Sequence, residues 1–350
     1  MNHHTISGAT AGNGRGARRA LSLFLLIPLI LSGCGKSGNS VSASSSSAKE
    51  ESDIEIGFVL KEKKAEFWKL LAAGAESEGK KKKVTVTIQG TDDDSDAQTQ
   101  VKEVRSLIKR KVDVICVAPI SDEMLLPCLK DAVDAGIRVI AVDSDTSLED
   151  KISYIGTDNY NAAYEGAKYA ADAVGDSGSA VVLRGYLGDK THDARTSGIT
   201  DCLVEKGMIV EKSVESSADT VKEDTSELLS EFPDLKLIMT THDKLTPGVL
   251  DALEELGRTD VRVFGFDGKI EVAEEILENG QLIGTTAQEP YRMGQLAVDT
   301  AVSALNGKSV EKTIYSGHTV VNSENVEEYL SEVETLVKSI DGQEETSSSS

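Results

Sequence analysis

The sequence lacks several features that would point to common classes of protein. No run reaches the roughly 18 consecutive apolar residues of a membrane-spanning helix, so no ordinary membrane span is predicted. Basic residues are few, 37 Lys+Arg against 59 Asp+Glu, and nucleic acid is not an expected partner because phosphate binding requires a basic surface. The enzyme motifs HExxH, GxSxG and the P-loop are also missing. We therefore expect neither an enzyme nor a cofactor.

Cysteine is scarce as well, with four residues in 350. Apart from Cys34, the chain holds Cys116, Cys128 and Cys202, an odd number at no metal-like spacing. This pattern argues against a disulfide framework and against a zinc site, and no metal is expected. Cys116 lies in an apolar strand pattern and Cys202 in a helical one, so packing is the expected role. The sequence leaves their redox state open.

The first residues read as an export signal. Arginines precede an apolar stretch, Ala20–Leu31, of secretory length, and residues 1–33 are predicted to be a signal peptide. The tetrapeptide Leu31–Cys34 resembles a bacterial lipobox, which implies that Cys34 becomes the lipidated first residue; the alternative is an ordinary signal peptide with an incidental cysteine. Residues 34–52 then form a Ser-rich tether. We expect an extracytoplasmic protein of the cell envelope, held to a membrane by its lipid alone.

From Asp53 onward, apolar strand patterns alternate with helical patterns, and the same rhythm starts again at Ser153. Such alternation predicts βαβ units, so the expected fold is α/β with two similar doubly wound parallel-sheet lobes. One strand, VRVFGFDG at residues 261–268, runs into a turn that presents Asp267. Ligands of open α/β sheets bind at the carboxyl ends of strands, so Asp267 is a candidate ligand contact; a solvated helix N-cap is the alternative.

These segments, taken in order, resemble a known family. Residues 54–322 are similar to the periplasmic-type monosaccharide-binding proteins of ABC importers, the ribose- and galactose-binding group of bacterial solute-binding protein family 2. The resemblance rests on IGFVL…FW, DAQTQVKEVRSLIKRKVDVICVAP, DAGIRVIAVDSD, YIGTDN, RTSGI, THD, VFGFDG and TTAQEP. It implies a type I periplasmic-binding-protein fold, in which three crossing segments join two lobes and the ligand is clamped between them.

The resemblance also implies where each lobe begins and ends. Crossings are expected near Gly156–Asn159, Ala287–Pro290 and Gly317–Thr319. The N-terminal lobe would then comprise residues 53–156 plus 289–316, and the C-terminal lobe residues 157–288 plus 317–339. The polar segment 340–350 is expected to be a disordered tail.

Several residues stand at the family's ligand-binding positions. The resemblance implies an aromatic sandwich for the sugar ring, carboxylates that accept from its hydroxyls, a guanidinium that donates to its oxygens, and a hinge-side amide. The predicted ligand-binding residues are Phe67, Trp68, Asp143, Ser144, Arg195, His242, Asp267 and Gln288. For the aromatic pair the alternative is a place in the hydrophobic core, and for Arg195 it is a surface helix charge.

Some of these positions depart from the family's ribose pattern. Ser144 replaces an arginine, and Ala118 and His242 replace asparagines, while Lys61 and Ala65 stand where polar residues are expected. Because buried polar groups must be paired by the right ligand, ribose itself is not the expected sugar. His192 and Asp193 precede Arg195 by one turn, and either a place in the cleft or a solvated loop fits them.

The predicted function is a substrate-binding lipoprotein of an ABC importer that closes on a monosaccharide or a related polyhydroxylated molecule and delivers it to a membrane permease. A monomer is expected. The alternative is a sensor lipoprotein that presents a sugar-like signal to a membrane receptor. Sugar-responsive transcription regulators share the two-lobed core, but an export signal stands here where they carry a helix-turn-helix.

Overall fold

The computed structural model describes residues 53–93 and 95–348, with side chains given except at 339 and 341–348. The predicted signal peptide, Cys34 and the tether lie outside the described residues. The described chain folds into two lobes, each built around one six-stranded sheet covered by helices.

The sheet of the first lobe is entirely parallel and has the strand order β11-β5-β4-β3-β1-β2. Its strands are β1 (Glu55–Leu60), β2 (Thr85–Gly90), β3 (Val114–Val117), β4 (Arg138–Val142), β5 (Ser153–Gly156) and β11 (Thr313–Tyr315). Its helices are α1 (Glu66–Lys82), α2 (Ala97–Arg110), α3 (Asp122–Asp134) and α9 (Pro290–Leu305). The central strands are apolar almost throughout because helices cover both faces of the sheet.

The second lobe repeats this plan with the order β12-β10-β9-β8-β6-β7. Its strands are β6 (Ser179–Arg184), β7 (Ile209–Glu215), β8 (Leu235–Thr240), β9 (Arg262–Asp267), β10 (Leu282–Gln288) and β12 (His318–Val321). Its helices are α4 (Asn159–Val174), α5 (Lys190–Glu205), α6 (Val221–Glu231), α7 (Thr246–Glu255), α8 (Ile270–Glu278) and α10 (Val326–Ser348). The predicted fold class, two doubly wound α/β lobes, is confirmed.

Two details differ from the pattern expected from the sequence. β12 pairs with β10 in antiparallel fashion, because the short turn after β11 carries the chain directly onto the edge of the other sheet. The run TIYSGHTVVN therefore forms two strands in two sheets. Helix α10 continues to Ser348, through most of the segment expected to be a disordered tail, and the Gln and Glu residues of that segment are good helix formers.

Side-chain caps explain where several helices begin. The carboxylates or hydroxyls of Asp96, Ser121, Asp158 and Asp189 accept from N–H groups in the first turns of α2, α3, α4 and α5. Helices α1, α6, α7, α8 and α9 begin without such a side-chain cap.

Cys116, Cys128 and Cys202 are free and buried, in agreement with a packing role. No helix among the described residues combines the length and apolar character that crossing a membrane requires.

Candidate ligand-binding site

A cleft of about 1220 Å³ lies between the two lobes, at the carboxyl ends of their strands. The first lobe contributes the aromatic pair and the residues that follow β4, and the second lobe contributes residues of α5, the β8–α7 loop and the end of β9. The predicted residues that line this cleft are Phe67, Trp68, Asp143, Ser144, Arg195, His242, Asp267 and Gln288. All of the positions predicted from the sequence thus face one cavity, and their role toward a ligand stays a prediction.

Asp267 ends β9 in an unusual backbone conformation, with φ of 124°. Residues other than glycine rarely adopt this conformation, which costs on the order of 1–3 kcal/mol and persists only where the surroundings impose it. Asp243 provides that constraint, because its buried carboxylate accepts from the N–H groups of Phe266 (3.0 Å), Gly268 (2.9 Å) and Lys269 (3.1 Å). Burial raises the pKa of Asp243 to about 7, and these hydrogen bonds act in the opposite direction.

Gly268 is required next to this carboxylate. Its φ is 78°, and a Cβ there would lie 2.3 Å from the Cβ of Ala287. The hydroxyl of Tyr329, on α10, donates to the carbonyl of Gly268. The loop that presents Asp267 is therefore fixed from two sides, by Asp243 and by the C-terminal helix.

Arg195 is 3% exposed, and its guanidinium group is held through Nε and Nη1. Nε donates to Oδ1 of Asn159 (2.8 Å), and Nη1 donates to the carbonyl of Thr241 (2.8 Å) and to Oδ1 of Asp267 (3.0 Å). The guanidinium carbon lies 3.8 Å from the centre of the Phe266 ring, a cation–π contact. Arg195 is thus a buried, oriented donor, and the surface-charge alternative is wrong.

Gln288 connects this network to the crossings between the lobes. Its Nε2 donates to Oδ1 of Asp267 (2.8 Å), and its Oε1 accepts from the hydroxyl of Thr157 (2.8 Å). Thr157 lies between β5 and α4, and Gln288 ends β10, so one side chain joins two crossings to the carboxylate at the cleft.

The first lobe presents a second acid, Asp143, immediately after β4. Its φ of 62° is also in the left-handed region. The ammonium of Lys61 lies 3.6 Å from Oδ2 of Asp143, and the hydroxyl of Ser144 donates to the same oxygen at 2.9 Å. Ser144 thus supports Asp143. The cation beside this acid is Lys61, in the loop between β1 and α1, rather than the next residue in the chain.

The aromatic pair occupies the first turn of α1. The rings of Phe67 and Trp68 are 4.9 Å apart and nearly perpendicular. Trp68 is only 8% exposed and belongs to the core of the first lobe, while Phe67 is partly buried against that core. Both side chains line the cleft as well. The pair therefore contacts the hydrophobic core and faces the cleft at the same time, and the two interpretations are compatible.

Two histidine rings form part of the second lobe's face of the cleft. The ring centres of His192 and His242 are 4.9 Å apart, and Nδ1 of His192 lies 3.0 Å from the hydroxyl of Thr241. Burial lowers the pKa of His192 to about 3 and that of His242 to about 4, and the charge of Arg195 acts in the same direction. Both imidazoles are therefore neutral near pH 7.

Some residues of the site were not predicted from the sequence. Asn159, Thr241 and Asp243 orient Arg195 and Asp267. They lie inside YIGTDN and THD, two of the segments that carry the family resemblance. Their place in these segments is the sequence feature that could have identified them as site residues. Of the two places that fit His192 from the sequence, the cleft and a solvated loop, the structure shows the cleft.

Comparisons with known proteins agree with this architecture. Residues 56–309 match the family described as "Periplasmic binding protein domain". The ribose import binding protein of Bacillus subtilis is 29% identical over 222 residues, which cover 61% of this chain and 70% of that protein. The D-ribose/D-allose-binding protein of Pseudomonas aeruginosa is 26% identical over 84% of this chain and 94% of its own length.

Solved structures of solute-binding proteins are also similar to this chain. A solute-binding protein of an ABC transporter from Agrobacterium vitis, with bound D-fucose, superimposes with a TM-score of 0.69 at 30% identity and covers 78% of this chain and 96% of its own. One from Actinobacillus succinogenes, with bound D-allose, gives a TM-score of 0.72 at 25% identity over 79% and 100%.

The fold and the cleft define a two-lobed binding protein of the type I periplasmic class. The chain belongs to the periplasmic binding protein domain family. The expectation that it is a binding protein rather than an enzyme is confirmed, since the relatives named above are non-enzymatic binding proteins.

Proposed function

We propose that this protein is the extracytoplasmic substrate-binding component of an ABC importer and that it binds a monosaccharide in the cleft. The observation that carries this proposal is the network of Arg195, Asp267 and Gln288 at the carboxyl end of β9. A fixed guanidinium and a fixed carboxylate supply a donor and an acceptor to neighbouring hydroxyls, which is the hydrogen-bond pattern of a sugar. Phe67 adds an apolar ring surface for the C–H groups of a pyranose or furanose.

Binding would work by closure of the lobes. A ligand that contacts Asp143 on one lobe and Asp267 on the other has higher affinity for the closed arrangement than for the open one. It therefore shifts the hinge equilibrium by that difference in affinity. A membrane permease would then receive the closed form, and a single chain contains both halves of the cleft, so a monomer suffices.

The relatives narrow the ligand to sugars of similar size, since their names and bound ligands include ribose, allose and fucose. Ribose itself fits less well, because Ser144 and His242 replace the arginine and asparagine of the ribose pattern. Allose, fucose and other hexoses are the better candidates.

A thermal-shift panel tests the sugar assignment. D-allose, D-fucose, D-arabinose, D-tagatose, D-galactose, xylitol and D-ribose would each be added at rising concentration. A ligand at 100 times its Kd stabilises the fold by about 2.7 kcal/mol, so we expect at least one hexose to raise the melting temperature by several degrees. Buffer that contains sucrose at the same osmolarity serves as the control. No shift with any sugar would contradict the proposal.

We also propose that Cys34 carries a lipid anchor, on the strength of its lipobox-like context. Replacing Cys34 with alanine removes the thiol that would be acylated, and no helix among residues 53–93 and 95–348 is long and apolar enough to span a membrane. We expect the Cys34→Ala protein to leave the membrane fraction on cell fractionation, while a Cys202→Ala control stays there. Retention of Cys34→Ala in the membrane would contradict the anchor.

A further inference from the structure

Tyr186 lies in the loop between β6 and α5, on the second lobe's side of the cleft. The residue is 74% exposed, and its neighbour Leu187 is 77% exposed. Of these two described residues, only Tyr186 lines the cleft. Ligand-binding clefts combine aromatic and apolar surface with a few fixed polar groups. Tyr186 therefore places an open aromatic ring where a ligand can reach it.

The backbone of this loop is fixed, although the side chain is open. The carbonyl of Tyr186 accepts from Nη2 of Arg184 (3.1 Å) and from the N–H of Asp189 (3.2 Å). The N–H of Leu187 donates to Oε2 of Glu215, at the end of β7 (2.7 Å). A tyrosine on such a loop contacts a ligand at a small cost in entropy, because only the torsions of its short side chain have to be ordered.

The loop also lies against the groups that orient Arg195. The N–H of Gly185 donates to the hydroxyl of Thr241 (3.2 Å), and the carbonyl of Thr241 accepts from Nη1 of Arg195 (2.8 Å). A Cβ on Gly185 would lie 2.4 Å from Nε2 of His192, so a side chain at this position would displace the imidazole ring. Tyr186 directly follows Gly185 in the chain and is thereby held beside the Arg195 network.

Other aromatic side chains of the cleft already have partners in the fold. The rings of Phe67 and Trp68 contact each other, and the hydroxyl of Tyr329 donates to the carbonyl of Gly268. Within the described part of the chain, the side chain of Tyr186 makes no hydrogen bond and no ring contact. The second lobe thus offers an aromatic ring that the fold itself does not use.

We propose that Tyr186 is a ligand-contacting residue of the second lobe, and that its ring packs on the C–H groups of the sugar bound by Arg195 and Asp267. Phe67 covers the sugar from the first lobe, and Tyr186 covers it from the second. The C–H groups of a sugar ring leave water when they pack against an aromatic face, and this burial adds to the affinity. The assignment rests on the proposed sugar-binding function.

The first test compares Tyr186→Ala and Tyr186→Phe with a matched control, Leu187→Ala. The probes are the sugars of the thermal-shift panel, beginning with D-allose and D-fucose, and calorimetry gives the Kd of each sugar that binds. We expect the Kd to rise about tenfold in Tyr186→Ala and to stay within about twofold in Tyr186→Phe, which keeps the ring. Leu187→Ala removes an exposed side chain beside the cleft and should leave the Kd unchanged.

The outcomes of this test separate the assignment from the function on which it rests. An unchanged Kd in Tyr186→Ala, or an equal rise in Leu187→Ala, would overturn the assignment. The ligand-free melting temperature should be the same in all variants, because both side chains are exposed, and a lower value in Tyr186→Ala would indicate a structural role instead. A wild type that binds no sugar of the panel would contradict the proposed function, and the assignment would fall with it.

The second test measures whether the bound sugar covers the ring. Tetranitromethane nitrates exposed tyrosines, and peptide mass spectrometry would locate the modified residues with and without saturating sugar. We expect Tyr186 to react in the free protein and to be protected in the complex. Tyr315, which is 53% exposed at the edge of the first lobe's sheet, is the control and should react equally in both. Equal nitration of Tyr186 in the two states would contradict the contact.

Discussion

The two faces of the cleft are built differently. On the second lobe, Arg195 and Asp267 are hydrogen-bonded to each other and to three further groups, the side chains of Asn159 and Gln288 and the carbonyl of Thr241, and the backbone of Asp267 is held in a strained conformation. On the first lobe, Asp143 has a looser ammonium contact at 3.6 Å and one hydroxyl. The comparison indicates that the second lobe is the pre-organised half of the site and that the first lobe completes it on closure.

This difference has an energetic consequence. Groups that are fixed before the ligand arrives lose little conformational entropy on binding, so their hydrogen bonds contribute more to affinity. Lys61 has a flexible stem, and its side chain is 23% exposed. The entropy lost when this side chain is ordered on binding therefore offsets part of its contribution to the binding free energy. The second lobe should therefore supply most of the binding free energy, and the first lobe most of the closure.

The largest effect is expected from isosteric replacements of the two acids. Asp267→Asn removes the charge that pairs with buried Arg195 and that would, on the proposed function, accept from the sugar, and we expect at least a 100-fold loss of affinity, about 3 kcal/mol. Asp143→Asn should cost about tenfold, because Lys61 and Ser144 stay in place. Titration calorimetry with the best sugar of the panel measures both. Equal losses, or a larger loss in Asp143→Asn, would reverse the assignment of the pre-organised lobe.

A smaller effect is expected on the stability of the fold in acid. Its source is the histidine pair of the second lobe. An unfolded histidine has a pKa near 6.5, whereas His192 and His242 have values of about 3 and about 4 in the folded protein. At any pH between the folded and the unfolded pKa of a histidine, the unfolded state therefore binds more protons than the folded state. The free energy of unfolding consequently falls as the pH drops below 6.5. At pH 5 each histidine should account for up to about 2 kcal/mol of this loss.

Urea titrations at pH 7 and pH 5 test this expectation. The double variant His192→Gln/His242→Gln should lose much less stability between these two values than the wild type. Asp243, whose raised pKa acts in the opposite direction, is common to both proteins and cancels in the comparison. The same pH dependence in both proteins would show that the histidines are not the source.

The sequence was informative where position along one strand or one motif decides the outcome. Asp267 is predicted from its place after an apolar strand, because strand ends meet at the ligand edge of such sheets, whereas Asp143 is predicted from the family resemblance. The fold followed from the alternation of strand and helix patterns. Arg195 and Gln288 came from the family resemblance, which gave their identity but not their partners.

The remaining features depend on contacts between distant segments. Asp243 lies 24 residues before Asp267 and acts through backbone N–H groups that any residue would carry. The antiparallel β12 depends on which sheet edge is within reach after β11. None of these leaves a local pattern.

The most direct measurement of the central claim is a calorimetric titration of the wild-type protein with the sugar that gives the largest thermal shift, beside the same titration of Asp267→Asn. We expect one site per chain in the wild type, because the two lobes share a single cleft, and a loss of at least 100-fold in the variant. No heat with any sugar of the panel, or unchanged affinity in Asp267→Asn, would contradict it.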